Sequence, residues 1–147
     1  MTAPIVFALQ RGMPLTDESA PNADDMRACS ENVANLEQLE TGLRLYTEGG
    51  ITGQQVDTKV AGRIDLLAVD RNSDLVVLEL KAEEADRQVC GQIQAYMGWV
   101  KENLAGEKKV RGIIVASDFT VRAIYAAKVV PGLSLKKYQI SFRFADA

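Results

Sequence analysis

Apolar positions along the chain switch between two spacings. Met26, Cys29, Val33 and Leu36 recur every three or four residues, which predicts a helix over 23–41. Asn22 can cap it, Asp24 and Asp25 suit its first turn, and Gly42 suits its end. From 43 to 81 β-forming residues dominate, interrupted by Gly49-Gly50, Gly53 and Asn72-Ser73. This predicts a meander of three strands: 43–47, 55–69 with an irregularity near Ala61-Gly62, and 74–81. A turn over 70–73 joins the last two. Helical spacing returns with Val89, Ile93, Tyr96, Met97, Val100 and Leu104, and Gly106 ends it. Residues 110–116 are almost wholly apolar, as in a strand buried on both faces. A helix over 119–129, stopped by Pro131-Gly132, and a strand over 133–144 close the chain. The order α-β-β-β-α-β-α-β predicts an α/β fold, a mixed sheet flanked by helices. Residues 1–22, punctuated by Pro4, Pro14 and Pro21, read as an N-terminal arm, leaving 23–147 as a single domain.

Composition narrows the chemistry. The 147 residues suit one domain, and 47% apolar with 25% charged residues fits a soluble protein. No apolar run reaches the roughly 20 residues of a membrane span, and the N-terminus lacks a basic leader. The expectation is a cytoplasmic protein with no membrane partner. Cys29 and Cys90 form no metal-spaced cluster and read as buried thiols in a reducing compartment. There is no histidine. That excludes Ser-His-Asp and Cys-His catalysis, HExxH metal sites and histidine-based nucleases. Hydrolysis here must use carboxylates, Lys, Tyr or Ser, with a hard metal that prefers oxygen ligands. The net charge of −3 argues against a strong unaided grip on nucleic acid.

Two neighbouring strands carry the candidate chemistry. In DLVVLELK, residues 74–81, alternate side chains share a face, so Glu79 and Lys81 point the same way and Leu80 the other. A Glu and a Lys at the end of a buried strand are costly unless paired or bound to something. In GRIDLLAVD, residues 62–70, Asp65 stands between Ile64 and Leu66, which should face away from it. A hairpin turning near Asn72 sets Asp65 close to the Glu79–Lys81 end, within cross-strand reach. Two carboxylates this close repel unless a cation lies between them. Mg²⁺ or Mn²⁺ fits such a pair and accepts phosphate oxygens as well. Lys81 can then orient a water or stabilise the transition state.

Asp65…Glu79-Leu80-Lys81 resembles the D…(D/E)xK signature of the PD-(D/E)XK nuclease superfamily, with Ile64 where the name has proline. Together with GQIQAYMGWV and VRGIIVA, the run from 36 to 145 resembles the nuclease domain of NucS-type and RecB-like endonucleases. The resemblance implies a restriction-endonuclease-like sheet and a metal-dependent endonuclease acting on DNA phosphodiesters, in repair or defence. It implies that Asp65, Glu79 and the Leu80 carbonyl bind Mg²⁺ or Mn²⁺, and that Gln92 on the following helix supports the site. Tyr96 lies one turn on, on the same face. The family also places an acidic ligand on the first helix. Glu31 is the first candidate here, with Asp25, Glu37 and Glu40 as alternatives. The chain is expected to lack the separate N-terminal DNA-binding domain of NucS-type enzymes, so mismatch specificity is not carried over.

Plainer readings stand beside these. Glu79 and Lys81 alone could be a structural ion pair, and Gln92 alone is an ordinary helix residue. Tyr96 and Trp99 suit a core or an interface better than a base-stacking platform, and Tyr96 stays among the candidates for nucleic-acid contact. Arg63, Lys108, Lys109 and Arg111, with Lys136, Lys137 and Arg143, suit either a solvated surface or a phosphate track. Two rival functions remain open: a nuclease-fold binding or regulatory module that does not cut, and a DNA-degrading toxin or defence component active in a larger assembly. Duplex cleavage needs two sites, so a homodimer is compatible with the enzyme reading.

Overall fold

Apolar residues alternate along the middle of the chain but run unbroken through residues 75–78, and that contrast sets the sheet. The computed structural model describes residues 36–139 and 143–147. In chain order it contains β1 (Arg44–Leu45), β2 (Thr47–Glu48), β3 (Ile51–Thr52), β4 (Gln54–Asp57), β5 (Arg63–Val69) and β6 (Leu75–Leu80). Then follow α1 (Gln88–Asn103), β7 (Val110–Ala116), α2 (Val121–Lys128) and β8 (Leu133–Lys137). Residues 36–39 are also helical; the rest of the expected first helix and the N-terminal arm lie outside the described residues.

Every residue of β6 is buried. It pairs antiparallel with β5 on one side and parallel with β7 on the other, and β7 pairs parallel with β8. Parallel neighbours require crossovers, which α1 and α2 provide. Both helices cover one face: Val89, Ile93 and Val100 of α1 and Ala123 and Ala127 of α2 pack with Leu67, Leu75, Val77 and Ile114. The other face packs Leu66, Val76, Leu78, Leu80, Ile113 and Val115 against Leu36 and Leu43. Burying each of these larger side chains contributes about 2 kcal/mol relative to exposure, offset largely by the entropy of ordering the chain.

The meander differs from the expectation. The strand expected over 55–69 is two strands, β4 and β5, with a turn at 58–62 between them. The strand expected over 43–47 is cut short. β1 and β4 both lie antiparallel along β5, at Arg44↔Val69 and Leu45↔Ala68, then Gln54↔Leu66 to Asp57↔Arg63. They are one strand interrupted by a looped-out β2–β3 hairpin. The join is closed by backbone bonds: Tyr46 N–H to the Leu67 carbonyl at 3.0 Å, Leu67 N–H to Gly53 at 2.7 Å, and Gly53 N–H to Tyr46 at 2.8 Å. A Cβ on Gly53 would lie 2.0 Å from the Leu67 oxygen, so only glycine fits. At the far end, α2 is shorter than the expected 119–129, because Phe119 forms a bridge with Ala85 instead. The last strand ends at Lys137 rather than reaching 144.

Candidate active site

The β5–β6 ladder has its last regular pair at Leu66↔Leu78. Continued by one residue, that register sets Asp65 opposite Glu79. The ladder instead gives way to a side chain: Asp65 Oδ2 accepts the Leu80 backbone N–H at 2.9 Å. The cause is a break in the alternation of β5. Ile64 was expected on the face of Leu66, yet it packs with Tyr46, Val56 and the α1 residues, on the other face. Across on β4, Gln55 has a φ of 49° between the pairs Gln54↔Leu66 and Val56↔Ile64. This local irregularity re-aims Asp65, as bulges beside functional sites do.

Glu79 follows Val77 on the face covered by the helices, and only 3% of its surface is exposed. Lys81 Nζ lies 3.4 Å from Glu79 Oε1, with the lysine side chain 38% exposed. Glu79 Oε2 is buried without a hydrogen-bond partner among the described residues. Burial, and then the charge of Asp65, push the Glu79 carboxyl up to about 7. Burial also raises Asp65, against the opposing pull of the Leu80 N–H and Lys81. Two carboxyl groups crowd one site, near enough to share a hydrogen bond when Glu79 holds its proton, with one lysine beside them and one oxygen unmet once both are ionised. That donor set fits a hard divalent cation, which would take the unmet oxygen and relieve the repulsion. Among the described residues no cluster of three Asp, Glu or Cys side chains stands ready to hold a metal. Further ligands would have to be backbone carbonyls, waters or substrate oxygens.

The other candidates separate. Gln92, exposed on α1, donates from Nε2 to the Tyr96 hydroxyl at 3.0 Å. Tyr96, also on α1, is buried in the core between the helix and the sheet, where no base can stack on it. Arg63 is exposed two residues before Asp65. Glu31 and Asp25 lie outside the described residues. Glu37 accepts the Gly42 N–H, and Glu40 pairs with Arg111, whose guanidinium also lies 3.1 Å from Asp70. Lys108, Lys109 and Arg111 therefore gather where β7 begins, beside Asp74 and Asp70, at the opposite end of the sheet from Glu79. Lys136 and Lys137 end β8, which runs parallel to β6 and β7, and so lie at the end nearer the carboxylates. Sequence reasoning overlooked Thr58, which is buried and latches the turn before β5. Its only signal was a threonine four residues ahead of a glycine.

The family model of the endonuclease NucS C-terminal domain matches residues 34–139. The chain belongs to this family. It is 42% identical over 62 residues to endonuclease NucS of Methanocaldococcus jannaschii, a stretch covering 42% of this chain and 23% of that protein. With endonuclease NucS of Pyrococcus furiosus it shares 44% over 59 residues, 40% of this chain and 21% of that one. The fold is similar to a repair endonuclease from Pyrococcus abyssi, with a TM-score of 0.61, 27% identity, and coverage of 82% of this chain and 49% of that one. It is also similar to EndoMS in a complex with double-stranded DNA, at a TM-score of 0.59 and 27% identity, covering 88% and 50%. The chain thus spans about half the length of the solved relatives and, in the aligned stretch, under a quarter of the curated ones. Among the described residues no helix is long and apolar enough to cross a membrane.

Proposed function

We propose that the chain is the nuclease unit of a DNA endonuclease, hydrolysing phosphodiesters with Mg²⁺ or Mn²⁺ at a PD-(D/E)XK site. The observation carrying this reading is the buried, unpartnered Oε2 of Glu79, beside Asp65 and Lys81, in a member of the NucS C-terminal domain family. Asp65, Glu79 and the Leu80 carbonyl would hold the ion. When bound, the ion would acidify a water and neutralise charge on a phosphate oxygen. The Leu80 N–H fixes one oxygen of Asp65, which keeps the carboxylate aimed at its partner strand. Lys81, half in solvent, can hold an attacking water by hydrogen bond and offset charge developing on the phosphate. Gln92, tethered to Tyr96 on the helix that covers this face, supports the site from above. Arg63, with Lys136, supplies the phosphate contacts that the acidic chain as a whole does not, while Lys137 is held by Asp118 at 2.7 Å. The DNA-bound relative supports duplex DNA as the substrate, and two copies or a larger assembly would be needed to cut both strands.

Incubating the protein with plasmid, linear duplex and single-stranded DNA under Mg²⁺, Mn²⁺ and EDTA tests this. Cleavage should require the metal and vanish in Glu79→Ala and Lys81→Ala, both of which should retain their far-UV circular dichroism. Undiminished cleavage by either variant would overturn the assignment. The rival, a module that binds DNA without cutting it, is favoured by one observation: only two acidic side chains converge among the described residues. Calorimetry detecting no uptake of Mg²⁺ or Mn²⁺ near neutral pH would turn the reading to that rival.

A further inference from the structure

The turn between β4 and β5 is built more rigidly than a connection requires. Thr58 is 4% exposed, and both its backbone N–H and its hydroxyl donate to the Gly62 carbonyl, at 3.1 and 2.6 Å. The same hydroxyl accepts the Ala61 N–H at 2.8 Å, and Asp57 accepts the Lys59 N–H at 2.8 Å. Gly62, at a φ of 105°, lies against Tyr96: a Cβ there would stand 3.1 Å from the hydroxyl. The turn is thus pinned at its neck to the helix that covers the carboxylates.

At its tip this rigid turn presents Val60, 85% exposed. Single exposed apolar residues are common and need no explanation by themselves. Turn tips, however, favour Gly, Asn, Asp and Ser. Here a β-branched apolar side chain stands on a left-handed neighbour, Lys59 at a φ of 67°, and the exposed charges around it are Lys59, Arg63 and Asp57, the last directly across from Arg63. Val60 precedes Asp65 by five residues, so the two Cα atoms are at most about 18 Å apart. Along B-form DNA that is about five base pairs.

We propose that the 58–62 turn is a wedge that reads duplex DNA, with Val60 entering the minor groove beside the scissile phosphate while Lys59 and Arg63 sit on the flanking phosphates. A stiff backbone, an apolar tip and two cations that outnumber the one carboxylate beside them suit a groove-inserting element. A tip that yields cannot transmit force to a base step, and unstacking costs a few kcal/mol. The wedge rests on the nuclease reading for its placement, because Asp65 and Glu79 locate the phosphate from which it is measured.

The test uses the full chain with a duplex carrying 2-aminopurine at successive positions, in Ca²⁺ so that binding proceeds without turnover. Cleavage of the same duplex in Mn²⁺ is measured separately. Wild-type protein should raise the 2-aminopurine fluorescence at one or two positions within about five base pairs of the cut. Val60→Ser, at an exposed position that does not threaten the fold, should bind the duplex yet lose that rise and cut it more slowly. Fluorescence that stays dark in the wild type, or rises equally in Val60→Ser, would overturn the wedge. Failure of wild-type protein to cut in Mn²⁺ overturns the nuclease reading instead; the wedge then stands only if the fluorescence rises in wild type at one or two positions and that rise is lost in Val60→Ser.

Discussion

The two ends of the central hairpin hold buried carboxylates in opposite conditions. At the turn end, Asp70 is 4% exposed and fully met: Oδ1 accepts the Asn72 and Asp74 N–H groups, and Oδ2 takes the Arg111 guanidinium. Glu40 shares that guanidinium and so ties the end of the helical residues 36–39 to the sheet. At the other end, Glu79 is just as buried, but one oxygen has no partner and its neighbour is another carboxyl. The two sites use the same residue types at similar depth. Among the described residues, only the first is complete. A buried carboxylate whose bonds all close is architecture, and one left open is a place for something to bind.

Three experiments sharpen this contrast or break it. The largest effect should come from Glu79→Gln, which keeps shape and removes charge. Metal-dependent cleavage should fall by about a thousandfold or more. In EDTA at pH 8 the same variant should melt higher than wild type, since it no longer carries an ionised, poorly solvated group. A variant that loses both activity and stability would mean that Glu79 is structural, like Asp70.

The pH dependence of wild-type stability comes next. The Glu79 carboxyl is pushed up to about 7 in the folded state from 4.5. Between those values the folded chain binds more protons than the unfolded one, so stability declines as pH rises through that window. The full loss is about 3 kcal/mol, present above pH 7 and absent below about 4.5. Asp65, also raised, acts in the same direction. Mg²⁺ at pH 8 should restore the loss, and near pH 7 its binding should release protons. Denaturant titrations across pH, with and without the metal, check the sign. A metal-free curve flat from pH 4.5 to 8 would contradict it.

The smallest effect belongs to the closed end. Arg111→Met leaves Asp70 and Glu40 without their shared cation and should cost about 2 kcal/mol, discounted because the guanidinium is partly exposed. Cleavage by the folded fraction should be unchanged. A cleavage defect at a temperature where the variant is folded would show that the two ends are coupled.

Much of this was legible in the sequence, for physical reasons. β6, β7 and α1 are strongly patterned runs whose burial follows from their own residues, so their places were clear. Asp65, Glu79 and Lys81 could be brought together because a hairpin register depends on little more than the position of its turn. The 43–69 segment was read less well. Its interruption at Tyr46 and Gly53 depends on backbone approach to Leu67, which leaves only a glycine as its mark. The twist at Asp65 likewise escaped strict alternation, which had Ile64 on the wrong face. The basic run at 108–111 suits a phosphate track by its charge, whereas the ion pairs of Arg111 with Asp70 and Glu40, and the placing of the run at the far end of the sheet from Glu79, are not visible in sequence.

The interrupted edge strand also has a consequence for how the chain tolerates change. The β2–β3 hairpin leaves and rejoins at one point on β5, and a Cβ added to either glycine of its tip, Gly49-Gly50, would meet nothing among the described residues. Residues added there shift no register on either side of the join, and doubling the length of such a loop costs only about 0.6 kcal/mol. The tip is therefore a place where a reporter, an epitope or a second binding module can be grafted while the carboxylates stay where they are.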